Sequence, residues 1–502
     1  MSEETKPEAQ KKEEPQDQII TTQHTVVVGG RELRYTATTG TMILKEESEK
    51  GGENKQEAEG EKPKASIFFT AYTLERDPAV TEAEHRHSRP ITFAFNGGPG
   101  SSSVWLHLGL LGPRRVEMGD AGSLLPPPYR LVDNEFSLLD VTDLVFIDPV
   151  TTGFSRAVPG EVPKQFHNFE KDIASVGDFI RLYTSRYQRW TSPKFLIGES
   201  YGTTRSAGLS GYLQQRHGMY LNGIMLISAI LNFQTARFTP GNDQPYILFL
   251  PTYTATAWYH GCLDDELQKD LAATLAEVEQ FAAGEYTLAL MRGDALPAGE
   301  RTAIAQKLAR YTGLAADYIE RTNLRVEIFR FTKELLRSQR RTVGRLDTRF
   351  TGLDRDAAGE HFEFDPSYAA IQGPYTATFN DYVRSELQFE SDLPYEILTF
   401  RVHPWGYDKH QNQYVNVAET LRTAMTTNPH LKVHVANGYF DLATPYFATR
   451  YTFDHLELDE SLRTQISMSY YQAGHMMYVH LPSFEQLKAN LVKFVQASKG
   501  GA

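Results

Sequence analysis

Residues 194–208 constrain what this chain can fold into more than any other stretch. Phe195, Leu196 and Ile197 form a short apolar run suited to a buried strand. Gly198-Glu199-Ser200-Tyr201-Gly202 follows at once and reads as a sharp turn opening a helix. In such a strand-to-helix reversal the central serine sits at strained backbone angles, and a side chain at either glycine would strike the neighbouring strand or helix. The turn presents the Ser200 hydroxyl to solvent beside free helix-opening amides, whose positive end favours developing negative charge.

Along the rest of the chain, short apolar runs alternate with helical spacing. Thr25 to Tyr35 alternates in polarity and turns at Gly29-Gly30 as a β-hairpin does, within 24–44, and 45–64 reads as a Glu/Lys/Gly-rich loop. Strands are expected at 66–72, 91–95, 144–147, 223–231, 431–436 and 465–471. Ile173, Val176, Phe179, Ile180 and Tyr183 share one face of a helix spanning about 166–187, which leads into the Ser200 strand and gives βαβ order. A closing amphipathic helix is expected over 483–498. Between about 236 and 375 the spacing becomes helical, as at Leu271, Leu275, Val278 and Phe281, and reads as a mostly helical cap. The expected organisation is a disordered tail over 1–18, a first core part over 19–235, the cap over 236–375 and a second core part over 376–502.

Composition narrows the function. The formal net charge of -12 opposes phosphate backbones and polyanionic surfaces, so nucleic acid is not an expected partner. No run has the length of a membrane span. With Cys262 as the single cysteine no intrachain disulfide can form, and folding does not depend on an oxidising compartment. The Glu/Lys/Gln/Pro-rich start lacks the apolar core of a secretory signal, so a cytoplasmic location is expected if Met1 is the native start, and a periplasmic or secreted one if a signal has been removed. His85-Arg86-His87 lies in what reads as a polar loop and is expected to be solvated rather than metal-binding, and Asp354-x-Asp356 lacks the rest of a calcium loop; no metal or cofactor is expected. Arg337, Arg340, Arg341, Arg345 and Arg349 read as a solvated face paired with Asp347, Asp354 and Asp356, with binding of a substrate carboxylate as the alternative.

A serine hydroxyl at neutral pH needs a base within hydrogen-bond reach and an acid to hold that base. His475, after the strand at 465–471, and Asp441, after the strand at 431–436, lie at the same strand ends as Ser200 and in the order Ser, Asp, His. His434 and His480 are the competing histidines and read as ordinary strand or loop residues. The small-residue loop Asn96-Gly97-Gly98-Pro99-Gly100-Ser101-Ser102-Ser103 follows an early strand, where an oxyanion-binding amide belongs. The fold class expected is α/β, with the α/β-hydrolase arrangement: a mostly parallel central sheet flanked by helices, interrupted by the helical cap.

The Asn96–Ser103 loop, Gly198-Glu199-Ser200-Tyr201-Gly202, Asn437-Gly438-Tyr439-Phe440-Asp441 and Gly474-His475-Met476 together resemble the serine carboxypeptidases, peptidase family S10, over roughly residues 65 to 497. The resemblance implies proteolysis of peptide substrates from the C-terminus by a catalytic triad of Ser200, Asp441 and His475. It further implies an oxyanion hole made by the amides of Gly98 and Tyr201, and a grip on the substrate's terminal carboxylate by Asn96 and Glu199. Glu199 must then carry or share a proton, since two bare carboxylates in contact repel. The chain departs from the family at Ala94, where a Trp is usual, and at Leu110, where a second carboxylate-binding Glu is usual, as in a divergent, bacterial-type branch. Arg205, on the helix after the nucleophile, is a candidate positive partner for the carboxylate if it faces the cleft.

The leading expectation is therefore a serine-type carboxypeptidase. An esterase, amidase or acyltransferase on the same fold is the alternative, and a non-catalytic binding protein on a hydrolase fold is a third. Labelling by a fluorophosphonate separates the last from the others: the native chain should take up the label and Ser200→Ala should not, whereas an unlabelled native chain would leave only the binding protein.

Overall fold

The computed structural model describes residues 14–48, 60–119 and 123–500. Of the expected tail, residues 1–13 lie outside them, whereas Asp17 accepts from the Ile43 amide at 2.7 Å and Gln18 already belongs to the first strand. The described strands of the main sheet, in chain order, are β1 (Gln18–Val28), β2 (Arg31–Ser48), β3 (Gly60–Leu74), β4 (Ile91–Phe95), β5 (Asp143–Ile147), β6 (Lys194–Ser200), β7 (Gly223–Ala229), β8 (Lys432–Gly438) and β9 (Ile466–Tyr471). They lie side by side as β1-β2-β3-β5-β4-β6-β7-β8-β9, with the two-residue strand Arg156–Ala157 pairing beside β3. β1, β2 and β3 are antiparallel, β3 pairs antiparallel with β5, and every pairing from β5 to β9 is parallel. This is the α/β-hydrolase architecture, and the six parallel strands point their carboxyl ends at one edge.

Alternation along each strand explains how the sheet is covered. Phe195 and Ile197 of β6, Leu144 and Phe146 of β5 and Met225 and Ile227 of β7 enter one apolar cluster, while Leu196, Val145, Ile224 and Leu226 enter another on the opposite face. The second cluster is closed by the helices Phe169–Arg186 and Tyr201–His217, and the first by Pro366–Ser385 and Leu481–Ser498. The helix Phe169–Arg186 starts where Asn168 accepts a side-chain bond from the Lys171 amide, and its apolar stripe is the one legible in the sequence.

Two expectations are revised. The segment 45–64 is not a loop throughout: β2 runs to Ser48 and β3 begins at Gly60, with 49–59 outside the described residues. Paired strand backbones satisfy one another's hydrogen bonds even where Glu and Lys dominate, so composition misled there. The cap boundary at 375 cuts a single helix, Pro366–Ser385, whose Ile371, Tyr375, Phe379 and Tyr382 belong to the core cluster. The cap's own cluster runs instead from Leu248 to Val343 and closes against Phe440, Leu442 and Tyr446, just past β8. After Ser103 the chain forms a π-helical turn, Leu106–Leu111. Among the described residues no helix is long and apolar enough to cross a membrane.

The elbow is fixed by backbone contact. A Cβ on Gly198 would stand 2.1 Å from the Gly202 carbonyl oxygen, and one on Gly202 would stand 2.6 Å from that of Phe95. These are backbone atoms, and no side-chain rotation relieves them. Gly198→Ala is expected to lower unfolding free energy by about 3 kcal/mol in a urea titration; a change under about 0.5 kcal/mol would show that the turn has slack.

Candidate active site

Ser200 ends β6 with φ 59° and ψ -129°, a strained combination for a residue with a side chain, and the helix begins at the next residue. The strain aims Ser200 into a cavity of about 300 Å³ that is also lined by Asn96, Gly98, Trp105, Glu199 and His475. The Asn96–Ser103 loop is pressed onto the elbow: a Cβ on Gly97 would lie 2.3 Å from the Tyr201 nitrogen. Gly98, at φ 103°, needs the freedom of glycine. The Tyr201 amide opens its helix and has no helical carbonyl one turn back. The backbone amides of an early loop and of the residue after the nucleophile are thus brought to one place.

His475 Nδ1 is 2.7 Å from Asp441 Oδ2. Asp441 is fully buried, and its carboxylate also accepts bonds from the Ala443 and Thr444 amides at 2.7 and 3.1 Å and from the Thr444 hydroxyl at 2.7 Å. The imidazole is therefore set by its partner, and its backbone is set as firmly: the His475 amide donates to Leu346 O at 2.7 Å, and Ser228 Oγ donates to His475 O at 2.7 Å. Burial alone would lower the basicity of His475, but the Asp441 carboxylate and the nearby charge of Glu199 outweigh it and hold the ring above its ordinary value.

Glu199 is the unusual group. It is 3% exposed, and burial pushes its carboxyl up to about 7 against the opposing pull of His475 and of hydrogen bonds from Tyr478 and Asn96. Tyr478 Oη donates to Glu199 Oε2 at 2.6 Å. Asn96 Oδ1 accepts from the Leu106 amide at 3.0 Å, which turns its Nδ2 toward the carboxyl. A carboxyl kept near neutrality beside a nucleophile can donate a hydrogen bond as well as accept one.

The other sequence candidates fall elsewhere. Arg205 does not reach the cleft. It is 1% exposed beneath the elbow, with Nε and Nη2 donating to Asp172 at 2.8 and 3.0 Å and Nη1 donating to Asn96 O at 2.6 Å. The helix positions it inward, between the Phe95 and Tyr201 rings at 5.4 and 5.5 Å, so the expected role in gripping substrate is corrected to bracing. Leu110 is buried in the core and lines no part of the cavity, while Ala94 packs in the apolar cluster under it. His434 is buried between Ser467 and Ser469, and His480 bonds Ser483.

The basic cluster is not one solvated face. Arg349 and Asp347 are buried and paired through two bonds of 2.9 and 2.6 Å, and Arg349 Nη1 donates to Gln472 O at 2.8 Å, bracing the loop that carries His475. Asp354 is buried against Lys333. Tyr478, Trp105 and this Arg349 brace were missed in the sequence. Tyr478 stands three residues after His475, and an aromatic there carries no signal until Glu199 is known to be buried beside it.

The chain is similar to known proteins. The model of the serine carboxypeptidase family matches residues 60–496. Kex1, a prohormone-processing carboxypeptidase from Saccharomyces cerevisiae, is similar in structure, with 16% identity, a TM-score of 0.54, and 92% of this chain and 91% of that one covered. A proline iminopeptidase of Mycobacterium smegmatis is more distant, at 13% identity and a TM-score of 0.36, covering 87% of this chain and 96% of the other.

Burial pushes Asp172 above the ordinary carboxylate range despite its partner, so removing that partner is costly. Arg205→Met is expected to cost about 3–5 kcal/mol in denaturant unfolding, and Asp172→Leu added to it should recover a large part. A loss below about 1 kcal/mol in the single variant would contradict the bracing role.

Proposed function

The chain belongs to the serine carboxypeptidase family, and we propose that it is a serine-type carboxypeptidase working through an acyl-enzyme on Ser200. His475 takes the Ser200 proton as Oγ attacks the last peptide carbonyl, and Asp441 holds the imidazolium that forms. The Gly98 and Tyr201 amides receive the oxyanion. His475 then gives its proton to the departing amine, and the C-terminal residue leaves. A water deprotonated by His475 attacks the ester carbon, the bond to Ser200 Oγ breaks as His475 returns the proton to that oxygen, and the shortened peptide departs as an acid. Peptides, rather than nucleic acids, suit a chain with a net charge of -12.

The observation that carries this reading is the buried, near-neutral Glu199 beside Ser200. Protonated Glu199 and Asn96 Nδ2 are two donors that suit the terminal carboxylate of a peptide. Glu199 and His475 feel one another's charge, so they titrate as a pair. The productive form has the proton on Glu199 and a neutral His475. A usual second glutamate is replaced by the core residue Leu110, and this favours an esterase or amidase as the second reading.

Comparing an N-blocked dipeptide with its C-terminal amide across about pH 5–9 decides between them. Glu199 titrates near 7 from above the ordinary range, so the neutral form is present below that value and lost as pH rises through it. The acid-to-amide ratio of kcat/KM should be high below 7 and fall about tenfold per unit above it, because the His475 limb affects both substrates alike. A ratio of one at every pH would discard recognition of the free carboxylate and leave the esterase or amidase reading.

A further inference from the structure

The cleft continues past Ser200. A second cavity of about 570 Å³ adjoins the first, and Arg345, Leu346, Tyr368, Leu398, Phe400 and Ala443 line both. Asn96, Gly98 and Glu199 line only the first cavity. The second therefore extends away from the terminal-carboxylate position, toward the acyl part of a bound peptide, and cap residues such as Phe249 and Phe329 form its outer wall.

Arg345 stands at the junction with a fixed backbone and a free head group. Its amide donates to Asp365 Oδ1 at 3.1 Å, its carbonyl accepts from the Leu442 amide at 3.0 Å, and the next residue holds the His475 amide. Among the described residues its guanidinium has neither an ion pair nor a hydrogen bond, although the side chain is half-buried. Its neighbours differ: Arg349 is taken up by Asp347 and Lys333 by Asp354. Among the described residues, none of the other charged groups of the second cavity pairs with its guanidinium. Asp365 Oδ1 is engaged by the Arg345 and Ser367 amides, and the charge of Glu327 is felt at Tyr246 and Tyr253 in the cap. Arg237 stacks on the Phe233 ring and bonds Tyr407. The Arg345 charge reaches the catalytic centre, where it pulls against the raised basicity of His475.

A half-buried guanidinium without a partner, at the wall shared by two substrate cavities, is a receptor for a planar anion. We propose that Arg345 selects peptides with an acidic side chain at the penultimate position, immediately before the bond that is cut. The inference rests on the carboxypeptidase reading above. Phe400, 78% exposed on the same wall, covers the aliphatic stem of such a side chain.

The test uses N-blocked dipeptides carrying Glu, Gln or Lys before a C-terminal Phe, and a reversed set with Phe before Glu or Gln. The native enzyme should favour penultimate Glu over Gln by about tenfold in kcat/KM, as expected of one charge-assisted pair at a partly exposed site. The ratio should fall to about one in Arg345→Gln, stay intermediate in Arg345→Lys, and turn toward Lys in Arg345→Glu, with thermal melting used to verify that each variant is folded. A ratio of one or less in the native enzyme, a ratio kept in folded Arg345→Gln, or a preference that follows Glu in the released position would each overturn the proposal. Release of Phe with a flat ratio sinks this inference alone; no release from any peptide sinks the carboxypeptidase reading and this inference with it.

Discussion

Arg205 holds three separated pieces of chain with one side chain. Its own helix opens at the nucleophile, two of its bonds go to Asp172 on the helix Phe169–Arg186, and a third goes to the carbonyl of Asn96. A guanidinium can do this because its donors form a rigid fork, and in a dry interior each bond resists distortion. The loop that carries Asn96 and Gly98 is thereby pressed onto the elbow until Gly97 touches the Tyr201 amide. Ser200, the Gly98 and Tyr201 amides proposed to receive the oxyanion, and Asn96 are positioned relative to one another by one buried ion pair and by glycines that leave no room for play.

That rigidity has an electrostatic consequence. Glu199 is only 3% exposed at the cavity wall, where Tyr478 and Asn96 hold its carboxyl. A carboxyl so placed resolves its desolvation by keeping a proton, and the proton is what a substrate carboxylate would meet. His475 is raised too, by its Asp441 partner against its own burial, so both groups gain affinity for a proton, one through desolvation and the other through a neighbouring carboxylate. Tyr478 is the partner that Glu199 has here; Leu110 has gone into the core.

The sheet, and the placing of Ser200, Asp441 and His475 at the ends of its strands, were legible because their signals are local. Apolar runs ending in Gly198-x-Ser200-x-Gly202, in Asp441 and in His475 each announce a strand and what stands at its end. The cap boundary and the strand ends flanking 49–59 were not legible, because they depend on which surface a segment meets rather than on its own residues. Arg205 shows the limit most plainly. A cation on a helix near a nucleophile reads the same whether it faces the cleft or the core, and only the position of Asp172, a distant residue, decides. Arg349 and Asp347 were misread as solvated for the same reason.

The central claim is that a proton on Glu199 receives the substrate's terminus. Titration calorimetry of Ser200→Ala with an N-blocked dipeptide at about pH 8, repeated in buffers of different ionisation enthalpy, counts the protons taken up on binding. The account predicts close to one proton per bound peptide, and close to none when Glu199→Gln is added. Binding without proton uptake, or the same uptake in the double variant, would contradict it.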